Sequence, residues 1–264
     1  MKIGFIGCGN MATAMLKGIL KSGEVKNADM IASAKSDKTR EKIEKELGIQ
    51  KADTNAQVVD FADVVFLAVK PQFLEEVLDE IKDNVKEGQI FISIAPGKTL
   101  QWLGEHLGEE TKIIRTMPNT PAMVGEGMTA LCVNEQVTEQ ETLLAVTLCN
   151  TFGKTEVIPE RLMDVVVGVS GSSPAYVFMF LEAMADAAVA DGMPRAQAYK
   201  FAAQAVLGSA KLMLETGKHP GELKDMVCSP AGTTIQAVRV LEEKGLRSAV
   251  IEAQMECVKK AKGM

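Results

Sequence analysis

A chain of 264 residues can bury one large or two modest hydrophobic cores, and the change of pattern along it favours two domains. Its net charge of −6, with acidic and basic residues interspersed and no basic block, excludes nucleic acid as the main partner. The five cysteines, Cys8, Cys132, Cys149, Cys228 and Cys257, are odd in number and have no C-x-x-C spacing, which excludes a disulfide or zinc framework and points to reduced thiols.

The first strand is predicted over residues 2–6, which leaves no room for a leader peptide. Gly7-Cys8-Gly9-Asn10-Met11-Ala12 follows it and opens a helix-patterned stretch over residues 11–21. A GxGxxA run between strand and helix suits a dinucleotide. Gly7 permits the tight turn, Gly9 lets backbone approach a pyrophosphate, and Ala12 lets the helix lie close on its strand. The N-terminal turn of the helix supplies unpaired N–H groups to the phosphates. Cys8 lies inside this loop, where a small buried side chain is the simpler reading than a reactive thiol.

The second strand, residues 29–33, ends Ala32-Ser33-Ala34-Lys35-Ser36. An Asp or Glu at this point would accept hydrogen bonds from ribose hydroxyls and repel a 2′-phosphate. Ser33, Ser36 and Lys35 can hold one instead, so NADP(H) is expected over NAD(H), which stays possible. Further strands are predicted over residues 64–69, 89–94 and 112–116, with helical patterns between most of them. That alternation means a parallel, doubly wound sheet of the Rossmann type. The strand ends that should face a ligand carry Ala68-Val69-Lys70-Pro71, Ser93-Ile94-Ala95-Pro96-Gly97 and Met117-Pro118-Asn119-Thr120-Pro121. A strand, helix and strand over residues 128–133, 138–152 and 155–158 should finish the sheet and a domain of residues 1–158.

From Pro159 the pattern changes to long helices rich in Ala and Met, predicted over residues 174–190, 194–215, 232–244 and 247–262. Residues 159–264 therefore read as an all-helical domain. Glu182 and Asp186 interrupt the most apolar of these helices, so no membrane span and a cytoplasmic protein are expected, with Glu182 buried and structural. The stretch 175–181 is apolar nearly all round, which a small bundle would struggle to cover, so helix exchange between two subunits is expected.

Ser170-Gly171-Ser172-Ser173-Pro174 and Cys228-Ser229-Pro230-Ala231-Gly232-Thr233-Thr234 each read as a Ser-Pro helix start, with serine as cap and proline in the first turn. The second adds Gly232, Thr233 and Thr234 at one spot, where a substrate carboxylate would fit. The two histidines, His106 and His219, fall on no signature strand end. An alcohol dehydrogenation needs a general base near the hydroxyl. Reduction of a C=N bond needs less, because an iminium protonated in solution is already electrophilic and has only to be positioned.

These motifs resemble pyrroline-5-carboxylate reductase along the length of the chain, from the opening GFIGCGNMA through Ala68-Val69-Lys70-Pro71, Met117 to Pro121 and Gly171 to Tyr176 to the segment from Ser229 to Thr234. The resemblance implies NAD(P)H-dependent reduction of 1-pyrroline-5-carboxylate to L-proline. It implies that Ile6, Gly7, Cys8, Gly9, Asn10, Met11, Ser33, Asn55, Ala68, Val69, Lys70, Pro71, Ser93, Ile94 and Ala95 line the cofactor, beside Lys35 from the loop reading. It further implies that Ser229, Gly232, Thr233 and Thr234 hold the substrate, with the Thr234 hydroxyl on the ring nitrogen. Intertwined homodimers, commonly assembled into larger rings, are implied as well. Ala231 and Ser173 depart from the family pattern, which has glycine at the first commonly and at the second often. A β-hydroxyacid dehydrogenase would carry a lysine in the first long helix of the second domain, and residues 174–190 have none; Lys200, on the next helix, reads as a solvated side chain. A non-catalytic NADP sensor would have no need of the segment from Ser229 to Thr234.

Overall fold

A computed structural model describes residues 1–263. Strands and helices alternate through β1 (Ile3–Ile6), α1 (Asn10–Ser22), β2 (Met30–Ser33), α2 (Asp37–Lys45), β3 (Gln50–Lys51) and α3 (Asn55–Phe61). They continue through β4 (Val64–Leu67), α4 (Pro71–Ile81), β5 (Ile90–Ser93), α5 (Leu100–Leu107) and β6 (Lys112–Met117). After β7 (Gly127–Val133), α6 (Glu139–Asn150) and β8 (Gly153–Val157) the described chain is helical. Its helices are α7 (Met163–Val166), α8 (Ser173–Ala190), α9 (Arg195–Thr216), α10 (Pro220–Val227), α11 (Thr233–Glu243) and α12 (Leu246–Ala261).

The strands form one sheet in the order β3-β2-β1-β4-β5-β6-β7-β8. Successive strand residues alternate between its faces. Phe5, Phe66 and Ile92 pack with Met15, Leu16 and Ile19 of α1 and Leu148 of α6, while Val65, Leu67 and Phe91 pack with Val58 of α3, Leu78 of α4 and Leu103 of α5. Phe5 and Phe66 stack across the paired strands β1 and β4, with ring centroids 4.5 Å apart. This is the expected Rossmann-type α/β arrangement followed by helices, with one difference. β7 runs antiparallel to β6, because residues 118–126 form only a short turn and contain no crossover helix to bring the chain back parallel.

The described chain divides into two compact units, residues 173–256 and the rest. Residues 159–172 thus go with the sheet, beyond the expected boundary at 158. Arg115 on β6, 6% exposed, pairs with Glu160 at 3.0 Å and with Asp164 at 3.6 Å, and Glu160 also accepts the Leu100 N–H at 2.7 Å. Met163 is buried against Ala130 and Cys132.

The segment around Ser170 is not a capped helix start. α7 runs through a π-helical turn (Val167–Gly171) into α8. Pro174 has no N–H for the carbonyl four residues back, that of Ser170, and the wider turn makes room for its ring. Asn119 takes the orphaned carbonyl: its Nδ2 donates to Ser170 O at 3.0 Å, while its Oδ1 accepts the Met128 N–H at 2.8 Å. Asn119 is therefore held by the fold.

By length and composition alone, the helical run Glu160–Ala190 is apolar enough to cross a membrane, Glu182 and Asp186 notwithstanding. In the single chain Glu182 is exposed, against the expectation of a buried acid, and so are Phe178 at 64% and Met179 at 69%.

Candidate active site

The loop joining β1 to α1 is shaped by two glycines with opposite requirements. Gly7 sits at φ +92°, in the region that disfavours side chains, and a Cβ there would lie 2.7 Å from the Ala68 carbonyl oxygen and 2.9 Å from Val69 Cγ1. Gly9 has nothing within 4 Å of where its Cβ would be. It precedes the first turn of α1, which has no side-chain cap, so the leading N–H groups of the helix point into open space. This is the form of an anion cradle, and it fits a pyrophosphate.

Strand pairing brings the other expected cofactor residues to the same edge of the sheet. Ile6 is in register with Ser33 on one side and Leu67 on the other, and Leu67 with Ser93. The Gly7 N–H donates to Ser33 O at 3.2 Å and the Ala68 N–H to Ile6 O at 2.8 Å. Lys70 precedes α4 and Pro71 opens it, where a missing N–H costs little. Ser93 is buried; its Oγ accepts the Ala95 N–H and its carbonyl accepts the Thr116 hydroxyl. Asn10 and Met11 lead α1, and Ile94 is half-buried. Cys8 is buried, and desolvation pushes its thiol pKa up against the opposing hydrogen bond with Thr13 and the charge of Lys42. It is a packing residue of the loop, as the plainer sequence reading has it.

Around the end of β2 two features were not read from sequence. Arg40 of α2 turns back to donate from Nε to Ala34 O at 2.7 Å, adding a second cation to the loop of Lys35, whose Nζ lies 5.2 Å from the Phe73 ring centroid. Ser33 Oγ donates to Asn55 Oδ1 at 2.6 Å, and Asn55 in turn bonds Glu80 of α4. Helical periodicity would place Arg40 on the first turn and a half of a helix capped by Ser36, which was a usable signal. Nothing in the sequence links Glu80 to Ser33.

In the helical unit, the segment before α11 departs from the expected Ser-Pro cap. Ser229 to Gly232 form a β-turn closed by the Gly232 N–H on Ser229 O at 3.0 Å, with Pro230 at its second position. Ala231 follows at φ +57°, alone among the described non-glycine residues in having positive φ. That conformation explains why glycine suits this position, and alanine there costs on the order of 1 kcal/mol. Gly232, not Ser229, precedes α11, and a Cβ on it would fall 2.3 Å from Ser229 Oγ. Thr233 and Thr234 open the helix without a side-chain cap, and neither hydroxyl has a hydrogen-bond partner within the described chain. Free N–H groups and two hydroxyls thus meet at one helix N-terminus, beside the Ser229 hydroxyl. The described residues contain no cluster of His, Cys, Asp and Glu able to hold a metal.

The family model described as pyrroline-5-carboxylate reductase dimerisation matches residues 160–264, and one described as NADP oxidoreductase coenzyme F420-dependent matches residues 2–97. The chain is 55% identical over 260 residues to the pyrroline-5-carboxylate reductase of Escherichia coli (strain K12), covering 98% of this chain and 97% of that one. Among solved structures, a pyrroline-5-carboxylate reductase from Coxiella burnetii superposes with TM-score 0.93 at 35% identity over 99% of this chain and 97% of that one. That of Plasmodium falciparum, solved with NADP bound, gives TM-score 0.89 at 30% identity over 100% and 97%.

Proposed function

The chain belongs to the pyrroline-5-carboxylate reductase family, and from that premise we propose which of its residues carry out the reduction of 1-pyrroline-5-carboxylate to L-proline. It is an NAD(P)H-dependent oxidoreductase of proline biosynthesis. The observation that carries the residue assignment is the pair of uncapped helix starts, one behind Gly9 and one behind Gly232, each offering backbone N–H groups to an anion.

Ile6, Gly7, Cys8, Gly9, Asn10 and Met11 cradle the cofactor pyrophosphate; Ser33, Lys35 and Asn55 hold its adenosine end; and Ala68 to Pro71 with Ser93 to Ala95 form the wall along the sheet edge. When bound, the reduced nicotinamide supplies a hydride to the imine carbon. Ser229 and the N–H groups behind Gly232 bind the substrate carboxylate, with Thr233 beside them. The Thr234 hydroxyl accepts a hydrogen bond from the protonated ring nitrogen and so fixes which face of the C=N bond is presented. The iminium arrives charged from solution, and no side chain is asked to deliver a proton before the transfer. Turnover is tested by the fall in reduced-nicotinamide absorbance when 1-pyrroline-5-carboxylate is added to the full chain.

NADP(H) is the preferred cofactor in this reading, because Lys35 and Arg40 bring two cations to the end of β2. Ser33→Asp is expected to weaken NADPH binding far more than NADH binding; equal losses would sink the assignment. The protein is placed in the cytoplasm as a homodimer formed through its helical residues, built further into a ring. Support comes from Phe178, Phe201 at 68% and Leu214 at 85% exposure, apolar surface that a lone soluble chain rarely leaves open. A sedimentation run at micromolar concentration should give a dimer or larger species, and a stable monomer would remove this part of the reading.

A further inference from the structure

We infer that Glu80 is a positioning residue of the cofactor's ribose site and that it restrains the preference for NADPH. The inference rests on the assignment of Ser33 and Asn55 to that site.

The direction of each hydrogen bond in the chain Glu80, Asn55, Ser33 is fixed from its charged end. A carboxylate can only accept. Glu80 Oε2 accepts from Asn55 Nδ2 at 2.6 Å, and Glu80 Oε1 accepts the Asn55 backbone N–H at 3.3 Å. The amide of Asn55 must therefore turn its NH2 towards Glu80, which leaves Oδ1 towards Ser33. The 2.6 Å contact there can only be the Ser33 hydroxyl donating to Asn55. With its proton committed, Ser33 Oγ offers a ligand nothing but lone pairs. Ser33 itself is 4% exposed, and its backbone is tied to the glycine loop by the Gly7 N–H on its carbonyl.

A ribose 2′-hydroxyl can donate to such an oxygen. A 2′-phosphate, largely a dianion at neutral pH, has only acceptor oxygens and cannot. It must break the contact between Ser33 and Asn55 to obtain a donor, and it also meets the negative field of Glu80. Lys35 and Arg40 act in the opposite sense. Glu80 thus does from α4, five elements further along the chain, part of what an acidic residue at the end of β2 does in NAD-binding folds. Its removal releases Asn55 to turn and Ser33 to donate.

The test compares wild type with Glu80→Gln and Glu80→Ala as full chains. Dissociation constants for NADPH and NADH are read by nucleotide fluorescence without imine, alongside melting temperature. The ratio of NADH to NADPH dissociation constants should rise by about threefold to tenfold in both variants, the size expected of one partly screened charge and its hydrogen bonds. A purely structural role would lower the melting temperature and weaken both cofactors together. Equal changes for the two nucleotides, or none, overturn the inference while leaving the reductase reading intact. Wild type that binds neither nucleotide overturns both.

Discussion

Gly9→Ala is expected to fold with an unchanged melting temperature and to bind NADPH and NADH about tenfold to a hundredfold more weakly, a loss of roughly 1.4 to 2.7 kcal/mol. Gly9 has φ −74° and ψ −170°, which any residue adopts, and its added Cβ touches no atom of the described residues. The new methyl group stands only in the space the pyrophosphate would occupy. Gly7→Ala separates the two roles of the loop. There the backbone conformation itself costs about 1 to 2 kcal/mol. In addition, the Cβ is driven into the backbone of Ala68, which is held by its N–H on Ile6 O and cannot move aside cheaply. Gly7→Ala should lose stability and cofactor together, read by thermal melting and nucleotide fluorescence on the same samples. If Gly9→Ala bound both cofactors like wild type, the loop would be an ordinary turn.

Thr234→Ala should lower kcat/KM for 1-pyrroline-5-carboxylate by about tenfold to a hundredfold with little change in cofactor binding. A hydrogen bond to a charged partner contributes roughly 1.5 to 3 kcal/mol, and that is the contact the variant removes. Folding should be unaffected, because the hydroxyl holds nothing among the described residues. Thr234→Ser keeps the oxygen and should recover most of the rate, which a packing role for the methyl group would not allow. Gly232→Ala tests the same place by a different route. Its Cβ collides with Ser229 Oγ and must push that hydroxyl off the helix start, so KM for the imine should rise.

The parts of this molecule that were legible in sequence are those set by local rules. Residues 64–67 and 90–93 are wholly buried strands, and 64–67 and 90–92 read as continuous apolar runs, as parallel strands covered on both faces do. Gly7 and Gly9 were placed by motif and by the strand before them. β3 was not legible, since it is two exposed polar residues, Gln50 and Lys51, with no alternation to detect. α10 escaped notice because it is short, buries no residue fully and carries Gly221 in its first turn.

The serine-proline pairs show where a correct local rule gave a wrong local structure. Both prolines fit a helix start. Pro174 instead lies within a continuous helical run, tolerated because Asn119, far away in sequence, satisfies the carbonyl it leaves bare. Pro230 occupies a turn whose next residue, Ala231, takes up a glycine-like conformation. Arg115 likewise draws residues 160–164 onto the sheet through ion pairs that no periodicity encodes. Gly232, Thr233 and Thr234 still stand at a helix N-terminus, while Ser229 moves from cap to turn.

In the proposed function, the Thr234 hydroxyl at the start of α11 holds the ring nitrogen of the iminium. It is tested most directly by following reduced-nicotinamide absorbance on addition of 1-pyrroline-5-carboxylate to wild type, Thr234→Ala and Thr234→Ser, with NADPH and with NADH. The account predicts rapid oxidation by wild type, a fall of about tenfold or more in Thr234→Ala and recovery in Thr234→Ser. Wild-type protein that binds NADPH and leaves the imine unreduced would contradict it, as would a Thr234→Ala variant that turns over like wild type.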